Sequence, residues 1–279
     1  MNVGIGLPSA VPGTDPRVIL EWAARADEAG FSSLGVVDRV RYESLDPLAA
    51  LSAAAGVTAR VRLVTMVVIG PLRITATLAR EAYTLNAISA GRLILGLGVG
   101  ARRDDYDAAG VSHEGRGRRF SEQLEDIRHH WADAGHGNGA LSPGLLVGGS
   151  TDATFARVAR FADGYVHGGG PPKTFERAVN KVWTAWREFG REGSPRLWAQ
   201  GYFALGDDAA GRGLDYMKDY YAFAGPFADK IAAGLLTTPQ SVAQFIRGYR
   251  EAGCEEVVLL PAVADLGQVD RLADVLASL

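Results

Sequence analysis

The chain has 279 residues, 47% of them hydrophobic and 22% charged, with a formal net charge of −3 at pH 7. This ordinary globular balance excludes a basic footprint for nucleic acid or an anionic membrane surface, and no apolar run approaches the roughly 20 residues that span a bilayer. Its single cysteine, Cys254, excludes an internal disulfide framework and a cysteine-rich metal site, so no metal is expected.

In chain order, short apolar runs alternate with longer amphipathic stretches. "MNVGIGLP" passes straight into a strand pattern with no basic leader or cleavage site, which fits a cytoplasmic protein. The strand at 3–8 precedes a helical pattern over 15–29, with Trp22, Ala26 and Ala29 on one face. "SLGVVD" (33–38) precedes a short helix over 47–55, and "VRLVTMVV" (61–68) a helix over 74–88. "RLILGLGVG" (92–100) precedes a helix over 118–132, and "LLVGGS" (145–150) one over 151–162. "GYVHGGG" (164–170) leads into 173–191, and "RLWAQGYFALG" (196–206) is followed by helical material including 240–252. "EEVVLLP" (255–261) and a helix over 266–279 complete the series.

Strands separated by helical crossovers pair in parallel, with the helices covering the sheet. Eight such units in this length specify a closed (β/α)8 TIM barrel; a doubly wound open sheet is the alternative, but it uses fewer units and a switch point. With no linker-like segment, residues 1–279 read as one domain, and 207–237 as a helical insertion between the seventh strand and its helix.

Chemistry in such a barrel belongs at the C-terminal ends of its strands. Those ends are rich in glycine and poor in acids and bases, which suits a flat, extended ligand. Gly148 and Gly149 precede Ser150 or Thr151 as a helix cap; free N–H groups there make an anion site, or the glycines serve an ordinary turn. Thr65 and Met66 inside an apolar strand read as barrel core, and Arg102, Arg103, Asp104 and Asp105 as a solvated cluster or as the lining of the mouth. Of the histidines, His167 ends a strand where a site belongs, His113 lies in a loop that can reach it, His129 and His130 face outward on a helix, and His136 sits in a glycine-rich loop. No zinc-hydrolase, serine-hydrolase or phosphate-loop motif occurs, so a bound cofactor is the economical source of reactivity.

Four stretches give the chain its resemblance to a known family: "EAGFSSLGVVDR" (28–39), "RVRLVTMVVIGPLRITATLAREAYTLNAISAGRLILGLGVG" (60–100), "LLVGGSTDATFARVARFADGYV" (145–166) and "TTPQSVAQFIRGYREAGCEEVVLLP" (237–261). In that order they resemble the bacterial-luciferase-like flavin- and deazaflavin-dependent oxidoreductases, including members like methylenetetrahydromethanopterin reductase. The resemblance implies a barrel that binds coenzyme F420 or FMN, with the ring at the mouth beside Gly98, Val99 and Gly100. It also implies a cis peptide at Met66–Val67 against the ring and a cofactor phosphate on Gly148, Gly149, Ser150 and Thr151.

The chain also departs from the pattern. Many relatives carry histidine after the second-strand acid, where Asp38 is followed by Arg39; some F420-dependent sugar dehydrogenases carry glutamate where Ala101 stands. Neither member of that His/Glu pair is therefore at its matching position. Between Trp131 and Leu145 the chain is reduced to "ADAGHGNGALSPG", which leaves an open site or one completed by a partner subunit.

The leading expectation is hydride transfer between F420 and a small carbonyl, enone or imine, with Asp38, Arg39 and His167 orienting substrate or exchanging its proton. An FMNH2-dependent monooxygenase served by a separate flavin reductase is the alternative, and a flavin-binding protein without catalysis the second. A homodimer is expected from Ala49, Ala50, Ala53, Ala54 and Ala55, although the same spacing suits packing within the chain.

Overall fold

The computed structural model describes residues 1–133 and 142–279. Its strands are β1 (Asn2–Gly6), β2 (Ser33–Val36), β3 (Arg62–Thr65), β4 (Val68–Ile69), β5 (Leu93–Gly98), β6 (Gly144–Gly148), β7 (Gly164–His167), β8 (Arg196–Phe203) and β9 (Glu256–Pro261). All pairings are parallel, in the order β3-β2-β1-β9-β8-β7-β6-β5, and β3 closes onto β5. With β3 and β4 as two pieces of one strand, this is the closed eight-stranded (β/α)8 barrel.

The strands read as nearly continuous apolar runs because both of their faces are buried. Alternate residues separate into two cores. Val64, Ile94, Leu146, Val166, Trp198 and Val258 fill the barrel. Leu63, Leu95, Val147, Tyr165 and Val257 point outward beneath the helices.

The helices are α1 (Val18–Glu28), α2 (Pro47–Ala55), α3 (Thr75–Ile88), α4 (Arg103–Ala108), α5 (Arg116–Asp133), α6 (Asp152–Phe161), α7 (Pro172–Glu188), α8 (Ala209–Tyr220), α9 (Ala228–Ala232), α10 (Pro239–Glu251) and α11 (Gly267–Ala277). On α7, Phe175, Ala178, Val179, Val182, Ala185 and Trp186 recur at helical spacing and are buried. Thr238 and Ser241 form a reciprocal capping box that starts α10, with Pro239 at the first helical position. Helix α1 starts later than its pattern suggests, because the Asp15 carboxylate accepts from the Arg17 N–H and Pro16 intervenes; Ala29 lies past its end, exposed. The alanines of α2 divide: Ala50, Ala54 and Ala55 pack inward, whereas Ala49 and Ala53 are exposed. Most of the compressed segment 132–144, including His136, falls outside the described residues.

The insertion after the seventh barrel strand consists of α8, a short turn over 222–227 and α9. Its return is tied to β8, where Leu236 N–H donates to Tyr202 O and Ala204 N–H donates to Leu236 O. Tyr216, Met217 and Tyr220 of α8 belong to the same apolar cluster as the barrel interior, so the insertion roofs part of the mouth.

The third strand breaks between β3 and β4, where the Met66–Val67 peptide is cis, as the resemblance implies. Here the chain moves into space left by the glycines of β5. A Cβ on Gly96 would lie 2.1 Å from Thr65 O, one on Gly98 2.7 Å from Val67 Cγ2, and one on Gly100 2.6 Å from Ile69 Cγ2. Thr65 is more than filler: its hydroxyl donates to Gly96 O at 2.7 Å and accepts from Gly96 N–H at 2.8 Å, replacing the ladder bonds at the break.

These contacts make opposite predictions for two glycine-to-alanine changes. Gly96→Ala should destabilise the protein by roughly 1–3 kcal/mol or prevent folding, because backbone must move. Gly211→Ala, on α8 where the added methyl would meet nothing within 4 Å, should stabilise by about 0.5 kcal/mol. Urea unfolding of both variants against the parent measures the two signs.

Candidate functional site

The C-terminal ends of the strands assemble one rim. At the end of β2, the buried Asp38 accepts from Ile69 N–H at 2.9 Å and pairs with Arg73 at 3.2 Å, while Arg73 also holds Asp46 at 2.8 Å. Burial raises the Asp38 carboxyl above its ordinary value, and Arg73 and the Ile69 N–H oppose that shift. Asp38 thus serves first as the bracket that holds β4 after the break.

Arg39 is buried next to it. Its Nε donates to Asp105 at 2.8 Å, and its guanidinium stacks 5.1 Å from the Tyr42 ring centre and 5.2 Å from that of Tyr220. Nη1 is buried without a protein partner among the described residues, so one donor of a fixed cation remains unused. Asp105 is fully buried and also accepts from the N–H groups of Val40 and Arg41. The charged run 102–105 is therefore not simply a solvated face: Arg102 pairs with Asp104, while Asp105 locks the loop after β2.

His167, at the end of β7, is in contact with two hydroxyls. Its Nδ1 lies 3.1 Å from Tyr165 Oη and its Nε2 3.2 Å from Thr174 Oγ1. Tyr165 donates to Gly149 O at 2.8 Å and Thr174 to Pro171 O at 2.7 Å. Both hydroxyl protons are thus directed at carbonyls, and a neutral imidazole can donate to only one of the two oxygens. Burial lowers its pKa to about 4, so the ring is neutral at pH 7. Through Tyr165, His167 supports the turn between β6 and α6.

That turn has the geometry of an anion cradle. Gly149 has φ of 141°, Thr151 Oγ1 accepts from Thr154 N–H as the cap of α6, and Ser150 and Thr151 are exposed. The N–H groups of Ser150 and Thr151 have no protein acceptor among the described residues. Further along α6, Arg157 donates to Gly117 O at 2.8 Å at the start of α5. Arg116 and Arg119 there bond only to His113 and to backbone carbonyls, and none of these three arginines pairs with a carboxylate among the described residues. Tyr106 joins this corner to the rim, with its ring 5.1 Å from that of His113 and its hydroxyl on Val99 O.

The expected site residues therefore fall at one end of the barrel in two roles. Met66, Val67, Gly98, Val99 and Gly100 form the wall at the strand break, where the bare faces of Gly98 and Gly100 are matched by Val67 and Ile69. Gly148, Gly149, Ser150 and Thr151 form the cradle. The reading by residue type missed Arg116, Arg119 and Arg157. The run "GRGRR" signals a basic patch, but nothing local shows that its charges lack partners. Tyr165 carried no signal at all. Among the described residues there is no cluster of three or more His, Cys, Asp or Glu able to hold a metal, and no helix long and apolar enough to cross a membrane.

Comparison with known proteins agrees with this fold. A family model described as luciferase-like monooxygenase matches residues 1–234. An uncharacterized protein of Mycobacterium tuberculosis is 31% identical over 206 residues, covering 61% of this chain and 71% of that one. The 5,10-methylenetetrahydromethanopterin reductase of Methanolobus tindarius is 28% identical over 217 residues, covering 72% of this chain and 65% of that one. Among solved structures, an F420-dependent secondary alcohol dehydrogenase in complex with an F420-acetone adduct superposes with a TM-score of 0.80 at 18% identity, over 99% of this chain and 98% of that one. That last likeness is one of fold.

The lowered pKa of His167 makes stability depend on pH. Because the folded state holds the proton less tightly than the unfolded chain, this contribution is fully present above about pH 6.5 and is lost as pH falls through 4. The shift corresponds to roughly 3 kcal/mol. His167→Gln should therefore show a shallower loss of unfolding free energy than the parent between those limits in urea titrations. Parallel curves would show that the ring titrates normally.

Proposed function

Because the chain belongs to the luciferase-like monooxygenase family, we propose that it is an oxidoreductase that uses coenzyme F420 for hydride transfer to or from a small carbonyl, enone or imine. The observation behind the choice of cofactor is a set of three arginines, free of carboxylate partners among the described residues: Arg116 and Arg119 at the start of α5, and Arg157 on α6, the helix that opens at the turn over 148–151. FMN ends in one phosphate, whereas F420 continues past its phosphodiester into a tail of glutamates. A cradle for one phosphate with further cations on α5 and α6 matches the longer anion.

When bound, the deazaflavin supplies the hydride chemistry. The protein contributes position and environment. The Ser150 and Thr151 N–H groups hold the phosphate, and the wall at Met66, Val67, Gly98, Val99 and Gly100 faces the ring. The insertion, with Tyr216 and Tyr220 in the inner apolar cluster, keeps water from the mouth. Arg39, its charge fixed by Asp105, braces the loop after β2 against Tyr42 and Tyr220. Asp38 acts by holding β4 in place, and His167 by holding Tyr165 and hence Gly149. A homodimer built on the outward alanines Ala49 and Ala53 of α2 belongs to the same proposal.

An FMNH2-dependent monooxygenase is the second reading, favoured by the description of the matching family itself. Fluorescence titration separates the two. F420 should bind more tightly than FMN, and Arg116→Ala combined with Arg119→Ala should weaken F420 by about tenfold or more, roughly 1.4 kcal/mol, with a smaller effect on FMN. Raising the salt concentration should reduce the F420 affinity of the parent more than that of the double variant. Tighter binding of FMN supports the monooxygenase, and binding of neither overturns both.

A further inference from the structure

Beyond the cradle, a cavity of about 570 Å³ opens between the loop after β7 and the inserted helices. Its walls are Gly168–Pro171 on one side and Met217, Tyr221, Phe227 and Ile231 on the other, with Tyr202 and Phe245 also lining it. Resting on the oxidoreductase reading above, we infer that this cavity is the substrate pocket and that the substrate carries, beside its reacting carbonyl, enone or imine, an aromatic or alicyclic body with a carboxylate.

Gly168 makes the first argument. Gly169 and Gly170 have φ of 100° and 102°, a backbone conformation that explains a glycine. Gly168 has no such φ, and a Cβ there would meet nothing within 4 Å. Neither the turn nor the packing of the protein requires glycine at this position; its bareness keeps the cavity open. The size suits a small organic ligand, since such pockets run from about 300 to 1,000 Å³.

The lining supplies the rest. Among the described residues it is aromatic and aliphatic with one charged side chain, Lys230, and no carboxylate. Lys230 has no ion pair among the described residues, and the neighbouring Asp229 is engaged by Lys218 at 3.7 Å. The Phe227 ring on the rim is 67% exposed, an uncovered aromatic surface for a flat apolar body. Deeper in, Tyr221 donates to Tyr202 at 3.3 Å; the Tyr202 proton itself has no protein acceptor among the described residues and suits a ligand oxygen. A single cation over an apolar chamber selects an apolar body with one negative charge. The chamber adjoins the cofactor cradle through one chain of contacts, from Gly149 to Tyr165 to His167, whose chain neighbour is Gly168.

Calorimetric titration of the full chain tests this with 2-naphthoate, trans-cinnamate and cyclohexanecarboxylate against their amides, alone and in saturating F420 or FMN. At least one acid should bind with and without cofactor, about tenfold or more tighter than its amide. Lys230→Met should remove the preference for the acid while leaving amide binding in place. Gly168→Leu should weaken acid and amide alike by about tenfold or more, with thermal unfolding confirming that both variants are folded. The inference is overturned if no acid binds, if acid and amide bind equally, if either variant behaves as the parent, or if acid and cofactor exclude each other. Cofactor binding is read in the same titrations, so acid binding without cofactor binding removes the redox reading and leaves the acid pocket standing.

Discussion

The mouth of this barrel depends on close contact between two backbones, where β5 gives up its side chains and the third barrel strand occupies their place. A strand inside a closed parallel barrel has its N–H and C=O groups committed on both sides, and it cannot leave the ladder without replacements. Two side chains provide them. Thr65 exchanges two hydrogen bonds with Gly96, and Asp38 accepts from Ile69 where the ladder resumes. A nearby backbone bond, Met66 N–H to Val36 O, holds the other side at 2.7 Å. Glycine is required on β5 because any Cβ would enter the space of this detour.

The rim then divides its charges into those that are spent and those that are free. Arg73 is shared between Asp38 and Asp46 around the break, and Arg39 is paired with Asp105 under the tyrosines of α8. Buried pairs of this kind fix geometry more reliably than they add stability, since each ion gives up its hydration. Arg116, Arg119 and Arg157 are different: they hold backbone carbonyls and, among the described residues, pair with no carboxylate. Lys230, which likewise has no ion pair among the described residues, lines the apolar chamber. The spent charges define the shape of this end of the barrel, and in the proposed function the cations left unpaired among the described residues set what it attracts.

The barrel was legible along the chain because burial on both faces of its strands leaves a local signature. Leu93, Ile94, Leu95 and Leu97 read as a strand wherever they sit, and Phe175, Val179, Val182 and Trp186 as the inward stripe of a helix. The glycines of β5 were legible as close approach, but what approaches was not. In the fold, the main chain of Thr65 and the side chains of Val67 and Ile69 meet them first, and a ligand would lie beyond that layer. Likewise Asp38, Arg39 and His167 stood out by type and position, but their hydrogen-bond partners make all three parts of the framework around the site.

By itself, the amino-acid sequence determined which segments are strands and helices, that they alternate eight times, and that bare backbone collects at the strand ends. Those properties follow from side-chain periodicity and from conformational limits that act over a few residues. Only the tertiary structure decided which charges are paired, because the partners lie far apart along the chain: Arg39 and Asp105 are 66 positions apart, and Tyr165 reaches Gly149 across 16. Whether an ion is neutralised, a hydroxyl committed or a glycine face left open depends on what closing the barrel brings next to it.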